Sequence, residues 1–293
     1  MTNQPAIPGL NLASDSVRDM AGLLHLWSGG RQFLAVLRAY IDEAGLGDGP
    51  TDETPAGFVF ASAGFIGAAD DWEKFSVRWT AALVAEGVPS EPGELPELHM
   101  NEMLHGRGSF SGWDKERRAR LQGTLIDILK ETPAFGHGCV IARGHRRDWE
   151  NTHSGQIYSK EKHYYGAGLP HCIVQLARKI FVGSMDERIG FVCGDISKWK
   201  GDLCDIYESM KVAREFDFRH RLGAIAFGSP KHFPPLQAAD LLAYETRRKY
   251  IDWKDPKAPS FRRSLVRLES SDRITYCTHD KTELEPQMER SSA

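Results

Sequence analysis

The chain has 293 residues, and its 37 Lys and Arg against 40 Asp and Glu give a formal net charge of −3. Hydrophobic residues make up 41% and charged residues 26%, a globular balance that excludes disorder, collagen and coiled coil for the bulk of the chain. The net charge also excludes a globally basic nucleic-acid binder, although it allows a local basic groove.

Targeting and cysteine patterns favour a soluble cytoplasmic protein with no membrane partner. No apolar stretch approaches the roughly 20 residues that cross a bilayer, and the N-terminus lacks the basic start and apolar run of a signal peptide. The five cysteines form no CxxC pair, and their odd number argues against a disulfide framework. No pair of His or Cys residues has the spacing of a zinc finger.

The first part of the chain predicts an extension and then a hairpin. Residues 1–30 are predicted to be an N-terminal extension with one helix, which Gly29-Gly30 would end. The apolar run Phe33–Ile41 predicts a strand covered on both faces. A loop rich in Gly and Asp separates it from a second predicted strand, Gly57–Ile66, which favours a hairpin.

Helices and strands alternate in the rest of the chain, and a polar tail of residues 269–293 follows. Strands that first pair as a hairpin and later alternate with helices predict an α/β fold, a mixed sheet flanked by helices, in one domain over residues 31–268. The predicted elements are helix 70–86, helix Asp114–Glu131, strand Gly138–Ala142, helix His163–Phe181, strand Ile189–Cys193, helix 201–214, strand Leu222–Phe227 and helix Leu236–Tyr250.

Two carboxylates follow apolar strands, where ligand crevices form in α/β sheets. Asp42 ends the first predicted strand, and Asp195 follows Ile189–Cys193 by way of Gly194. Carboxylates gathered at one edge repel each other unless they are protonated or bridged by a cation. Oxygen ligands suit Mg²⁺ or Mn²⁺. Turn chemistry for Asp42 and a helix cap for Asp195 are the structural alternatives.

A third acid, Asp240, lies on an apolar helix face with Leu236, Ala239 and Ala243. A lone Asp there costs free energy unless it is paired, hydrogen-bonded or bound to metal. An ion pair with an Arg is the structural alternative. Gln237, one turn earlier, is predicted to orient it.

A short extended segment supplies two more candidates, Glu97 and His99. Residues two apart in an extended segment point the same way, so this pair can face one site. The carboxylate can bind metal and the imidazole can shuttle protons or make a structural hydrogen bond.

Four sequence motifs resemble the family called domain of unknown function 3800, which is grouped with the ribonuclease H-like superfamily. They are YIDEAG (40–45), ELH (97–99), the strand-ending Asp195 and PLQAADLLAYE (235–245), and the resemblance spans roughly residues 36–250. The family usually has Ser where Ala44 stands. The resemblance implies a ribonuclease H-like fold.

The resemblance also implies a ligand set of Asp42, Glu97, Asp195 and Asp240, with Glu102 as the alternative to Glu97. Two Mg²⁺ or Mn²⁺ ions would support hydrolysis of phosphodiester bonds in RNA or DNA. His99 is then a proton shuttle or a phosphate contact.

Further residues are expected around these ligands. Glu43 is a supporting group or a surface residue, and Lys231 and Arg143 are candidates for holding substrate phosphates or solvated surface charges. Two other functions stay open: a non-catalytic module that binds nucleic acid or protein, and a metal-dependent hydrolase of a smaller phosphoester.

Overall fold

The computed structural model describes residues 37–45, 59–142, 160–179, 188–195, 199–214, 216, 218–255, 257 and 262–278, and for 160–166 the backbone alone. The predicted N-terminal helix, the first four residues of the predicted strand Phe33–Ile41, and Arg143 lie outside these residues.

Six strands and seven α-helices form the described part of the chain. In chain order they are β1 (Leu37–Ala44), β2 (Val59–Ala68), α1 (Ala69–Ala85), α2 (Met100–His105), α3 (Lys115–Glu131), β3 (Phe135–Ala142), α4 (Lys160–Lys179), β4 (Ile189–Gly194), α5 (Lys200–Val212), β5 (Leu222–Gly228), α6 (Pro234–Lys254), α7 (Arg263–Glu269) and β6 (Ile274–Thr278).

The strands form one mixed sheet in the order β5-β4-β1-β2-β3-β6. The strands β1, β2 and β3 are antiparallel neighbours, whereas β4 pairs parallel to β1 and β5 pairs parallel to β4. The last strand, β6, adds to β3 in parallel. This arrangement confirms the predicted mixed sheet, and β1 lies at its centre between a hairpin partner and a parallel partner.

Helices cover both faces of the sheet, because its strands are apolar on both sides. Tyr40 and Phe65 pack into one core with α1, α3 and α6. Ile41 and Phe60 point to the opposite face and pack into a second core with α4 and α5. Alternation along β1 therefore directs Asp42 to the same face as Tyr40, under α6.

None of the helices in the described part of the chain combines the length and the apolar composition that a membrane-spanning helix needs.

Three structural elements differ from the sequence prediction: β6, α2 and the unpredicted seven-residue helix α7. The predicted polar tail of residues 269–293 is wrong for Ile274–Thr278, which form β6 and pair with β3. This short strand is half-buried and has no long apolar run, so its hydrophobic pattern is weak. The second difference is the unpredicted helix α2, which has only six residues and ends at Gly106 with a left-handed φ of 62°.

Candidate metal centre

Asp42 lies near the end of β1, beside the end of β4. Its Oδ1 accepts a hydrogen bond from the backbone N–H of Glu43 at 3.0 Å. A Cβ atom placed on Gly194 of β4 would lie 2.5 Å from Asp42 Oδ1 and 3.7 Å from Glu43 Oε2. The space that holds both carboxylates therefore exists because residue 194 has no side chain.

Asp240 faces this edge from α6. The helix begins with Pro234 and Pro235, whose fixed φ suits a first turn. Fully buried alanines, including Ala239 and Ala243, let its backbone lie close to the sheet. The side chain of Asp240 is 13% exposed, and its Oδ2 lies 3.8 Å from His99 Nδ1.

A segment of extended backbone, residues 96–99, is held against α6 by Gln237. This side chain is fully buried. Its Oε1 accepts hydrogen bonds from Trp79 Nε1 at 2.8 Å and from Leu98 N at 3.0 Å. Its Nε2 donates to the carbonyls of Pro96 at 3.1 Å and Pro230 at 2.9 Å. Both donors and the acceptor are thus engaged, and the segment is fixed at two backbone positions.

Asp240 fixes the same segment one turn further along α6. Its Oδ2 accepts a hydrogen bond from Met100 N at 2.8 Å, the first residue of α2. Leu98 and Met100 are bonded to α6 through their backbone N–H groups and are buried against it. Because side chains alternate along an extended segment, those of Glu97 and His99 point away from α6. Glu97 is half-buried, and the His99 side chain is 54% exposed.

The acids share one electrostatic environment. Burial, then the charges of Glu43 and Asp240, raise the pKa of Asp42 well above its usual range. Burial also raises the pKa of Asp240, against the opposing effects of His99 and the Met100 N–H.

The pKa of Glu97 is raised first by burial, and the charges of Glu102 and Asp240 also raise it. The positive charges of His99 and Lys231 act in the opposite direction. Carboxylates from β1, the 96–99 segment, α2 and α6 therefore affect one another, and a bound cation would relieve their repulsion.

The structure thus brings together His99 and five acids that we call the acidic group: Asp42, Glu43, Glu97, Glu102 and Asp240. Gln237 has a different role from the one predicted: its hydrogen bonds hold the 96–99 segment, and they do not go to Asp240. The residue that sequence reasoning missed is Gly194. The sequence feature that could have identified it is its position directly before Asp195, the acid that follows the strand.

Lys231 acts on these acids through its charge, which lowers the pKa of Glu97, whereas Asp195 is not among the charges that shift the pKa of Asp42, Glu97 or Asp240. The Asp195 carboxylate is 48% exposed and pairs with Lys200 Nζ at 2.7 Å. Lys200 begins α5, the helix that covers the opposite face of the sheet from Asp42. Lys231 Nζ pairs with Glu94 at 2.9 Å and is 44% exposed, so it stands at the solvent side of the acids.

A scan of the chain against protein-family models found no match, and a search of curated proteins found no matching relative. The geometry of the acidic group is therefore the basis on which a function is assigned.

Proposed function

We propose that this protein is a metal-dependent nuclease of ribonuclease H-like architecture that hydrolyses phosphodiester bonds with two Mg²⁺ or Mn²⁺ ions. The observation that carries the proposal is that Asp42 on β1 and Asp240 on α6 are both partly buried carboxylates, and that the charge of Asp240 raises the pKa of Asp42. Two such groups are costly in a fold unless protons or cations neutralise them.

The donor set fits hard divalent ions. Asp42, Asp240 and Glu97 offer carboxylate oxygens, which Mg²⁺ and Mn²⁺ prefer to nitrogen or sulfur. Glu43 and Glu102 are further acids whose charges act on this set, and Asp195, which pairs with Lys200, is the remaining acid of the predicted ligands. When bound, a metal pair activates water and stabilises the leaving oxygen of an in-line displacement.

Other side chains of the site have roles that need no metal geometry. His99 is exposed and 3.8 Å from Asp240, so its imidazole can exchange protons between the acids and solvent. Gln237 keeps the 96–99 segment rigid, which holds Glu97 at a fixed position against α6. Lys231, at the solvent side, offers a positive charge for an incoming phosphate in competition with Glu94.

The fold supports the same proposal. An antiparallel trio of strands followed by two strands parallel to β1 agrees with a ribonuclease H-like sheet. The two most specific motifs of the resemblance, YIDEAG and PLQAADLLAYE, lie on β1 and α6 and contribute Asp42 and Asp240, the charge of which raises the pKa of Asp42.

The test is cleavage of single-stranded RNA, DNA and an RNA–DNA hybrid by purified wild type, Asp42→Asn and Asp240→Asn. We expect wild-type activity with Mg²⁺ or Mn²⁺, none in EDTA, and none in either variant. Asp205→Asn, an exposed acid on α5, is the matched control and should remain active. Unchanged activity in Asp240→Asn would end the proposal, and a wild type that binds these substrates without cutting them favours the binding module.

A further inference from the structure

Three metal-ligating side chains meet on the opposite face of the sheet from Asp42. His137 is on β3, Cys277 on β6 and His171 on α4. In the parallel pairing of β3 with β6, His137 is opposite Thr275 and Cys139 is opposite Cys277. Cys139 and Cys277 belong to the core beneath α4 and α5. Alternation along β3 and β6 gives His137 and Cys277 that same side, where α4 brings His171 over them.

The separations are close to those of a tetrahedral metal site. Cys277 Sγ lies 3.0 Å from His171 Nε2 and 3.4 Å from His137 Nε2. One ligand atom from each of the three residues lies within 4.8 Å of the others. With Zn–N of about 2.05 Å and Zn–S of about 2.3 Å, tetrahedral angles separate the N and S ligands by about 3.6 Å. Small side-chain adjustments therefore suffice to admit an ion.

An outer hydrogen bond orients one of the ligands. His137 is only 3% exposed, and its Nδ1 lies 3.0 Å from Thr275 Oγ1. When His137 Nδ1–H donates to that hydroxyl, His137 Nε2 carries a lone pair on the side of Cys277 Sγ, 3.4 Å away. Ligand histidines are commonly held through their other ring nitrogen in this manner.

We infer that His137, His171 and Cys277 form a second metal site, which binds Zn²⁺ or a similar divalent transition metal. Two nitrogens and one sulfur select zinc-like ions over Mg²⁺. His171 and Cys277 are only partly buried, so an ion can enter from solvent and a water can complete its ligands. The ion would join β6 and α4 to β3, and it is independent of the acidic group.

Cobalt(II) titration of the chelator-treated full-length protein tests this site, because a tetrahedral Co²⁺–thiolate complex has a sulfur-to-metal charge-transfer band. We expect one equivalent of Co²⁺ to produce the band and Zn²⁺ to remove it. Cys277→Ser should abolish the band. His171→Ala should weaken binding by more than about tenfold, the smallest loss expected even for an outer-shell partner.

Two matched controls separate this site from other effects. Cys204→Ser removes a partly buried cysteine of α5, and Asp42→Asn removes an acid of the other candidate site; both should keep the band. Absence of the band in wild type would overturn the inference, as would its survival in Cys277→Ser. A disulfide between Cys139 and Cys277 in unreduced, metal-free protein that does not bind Co²⁺ would also overturn it, because the pair would then be a redox couple.

Discussion

Replacing Gln237 with methionine should both destabilise the protein and weaken its metal binding. Methionine keeps nearly the same volume, so the cavity term is small. Gln237 makes four hydrogen bonds, to Trp79, Leu98, Pro96 and Pro230. At a net value of about 1 kcal/mol each, their loss lowers the free energy of unfolding by about 4 kcal/mol. At about 2–4 °C per kcal/mol for a domain of this size, the melting midpoint should fall by about 8–16 °C.

Gln122→Met provides the control for this experiment. Gln122 is also buried, and its Nε2 donates to Glu245 Oε1 at 3.0 Å, away from the acidic group. Losing this bond to a carboxylate should cost about 2 kcal/mol. Calorimetric titration with Mn²⁺ should show weaker binding in Gln237→Met and wild-type binding in Gln122→Met. Equal metal affinity in the two variants, or a Gln237→Met midpoint within about 2 °C of wild type, would refute the positioning role of Gln237.

Three further predictions address the acids and their surroundings. In EDTA, the free energy of unfolding should fall as the pH rises above about 4, the ordinary pKa of a carboxyl. The raised pKa values of Asp42 and Asp240 keep protons on the folded state that the unfolded state has released. Urea unfolding of Asp240→Asn at several pH values should show a shallower fall, and an equal slope would contradict the assignment. Gly194→Ala should abolish Mn²⁺ binding, because its methyl group would lie 2.5 Å from Asp42 Oδ1. Gly201→Ala, whose Cβ meets nothing within 4 Å, should bind Mn²⁺ normally, and a similar loss in both variants would point to general unfolding. Asp195→Asn should change the free energy of unfolding by less than about 1 kcal/mol, since its carboxylate is 48% exposed in one ion pair; a change of several kcal/mol in urea unfolding would place Asp195 in a more buried role.

The sequence predicts elements well where local pattern and packing agree. The apolar strand at Ile189 and the striped helix around Leu125 are found close to their predicted bounds. The strand at Ile41 continues to Ala44, three residues past its predicted end. Asp42 and Asp240 could be predicted as members of one site. Each is a single acid in an apolar setting, a strand end or a helix face, where an unpaired carboxylate is costly. Their convergence depends on the register of β1 and on how α6 crosses the sheet, which no local pattern contains.

Features formed by distant residues were not predictable. The strand β6 owes its structure to parallel pairing with β3, and its own half-buried sequence is too short for a clear period. Cys277 is separated from its neighbours His137 and His171 by 140 and 106 residues, so the spacing of a metal motif is absent. The role of Gln237 likewise depends on hydrogen bonds to Leu98 and Pro96, which lie 139 and 141 residues away in the sequence.

Crystals grown with Mn²⁺ will show whether Asp42 and Asp240 hold divalent metal. Anomalous difference density identifies manganese independently of any assay of cleavage. We expect strong peaks between the Asp42 and Asp240 carboxylates, with Glu97 within reach, and no such peaks in crystals of Asp240→Asn. Wild-type crystals that show manganese only at exposed surface acids, and none between Asp42 and Asp240, would mean that these two carboxylates do not form a metal site.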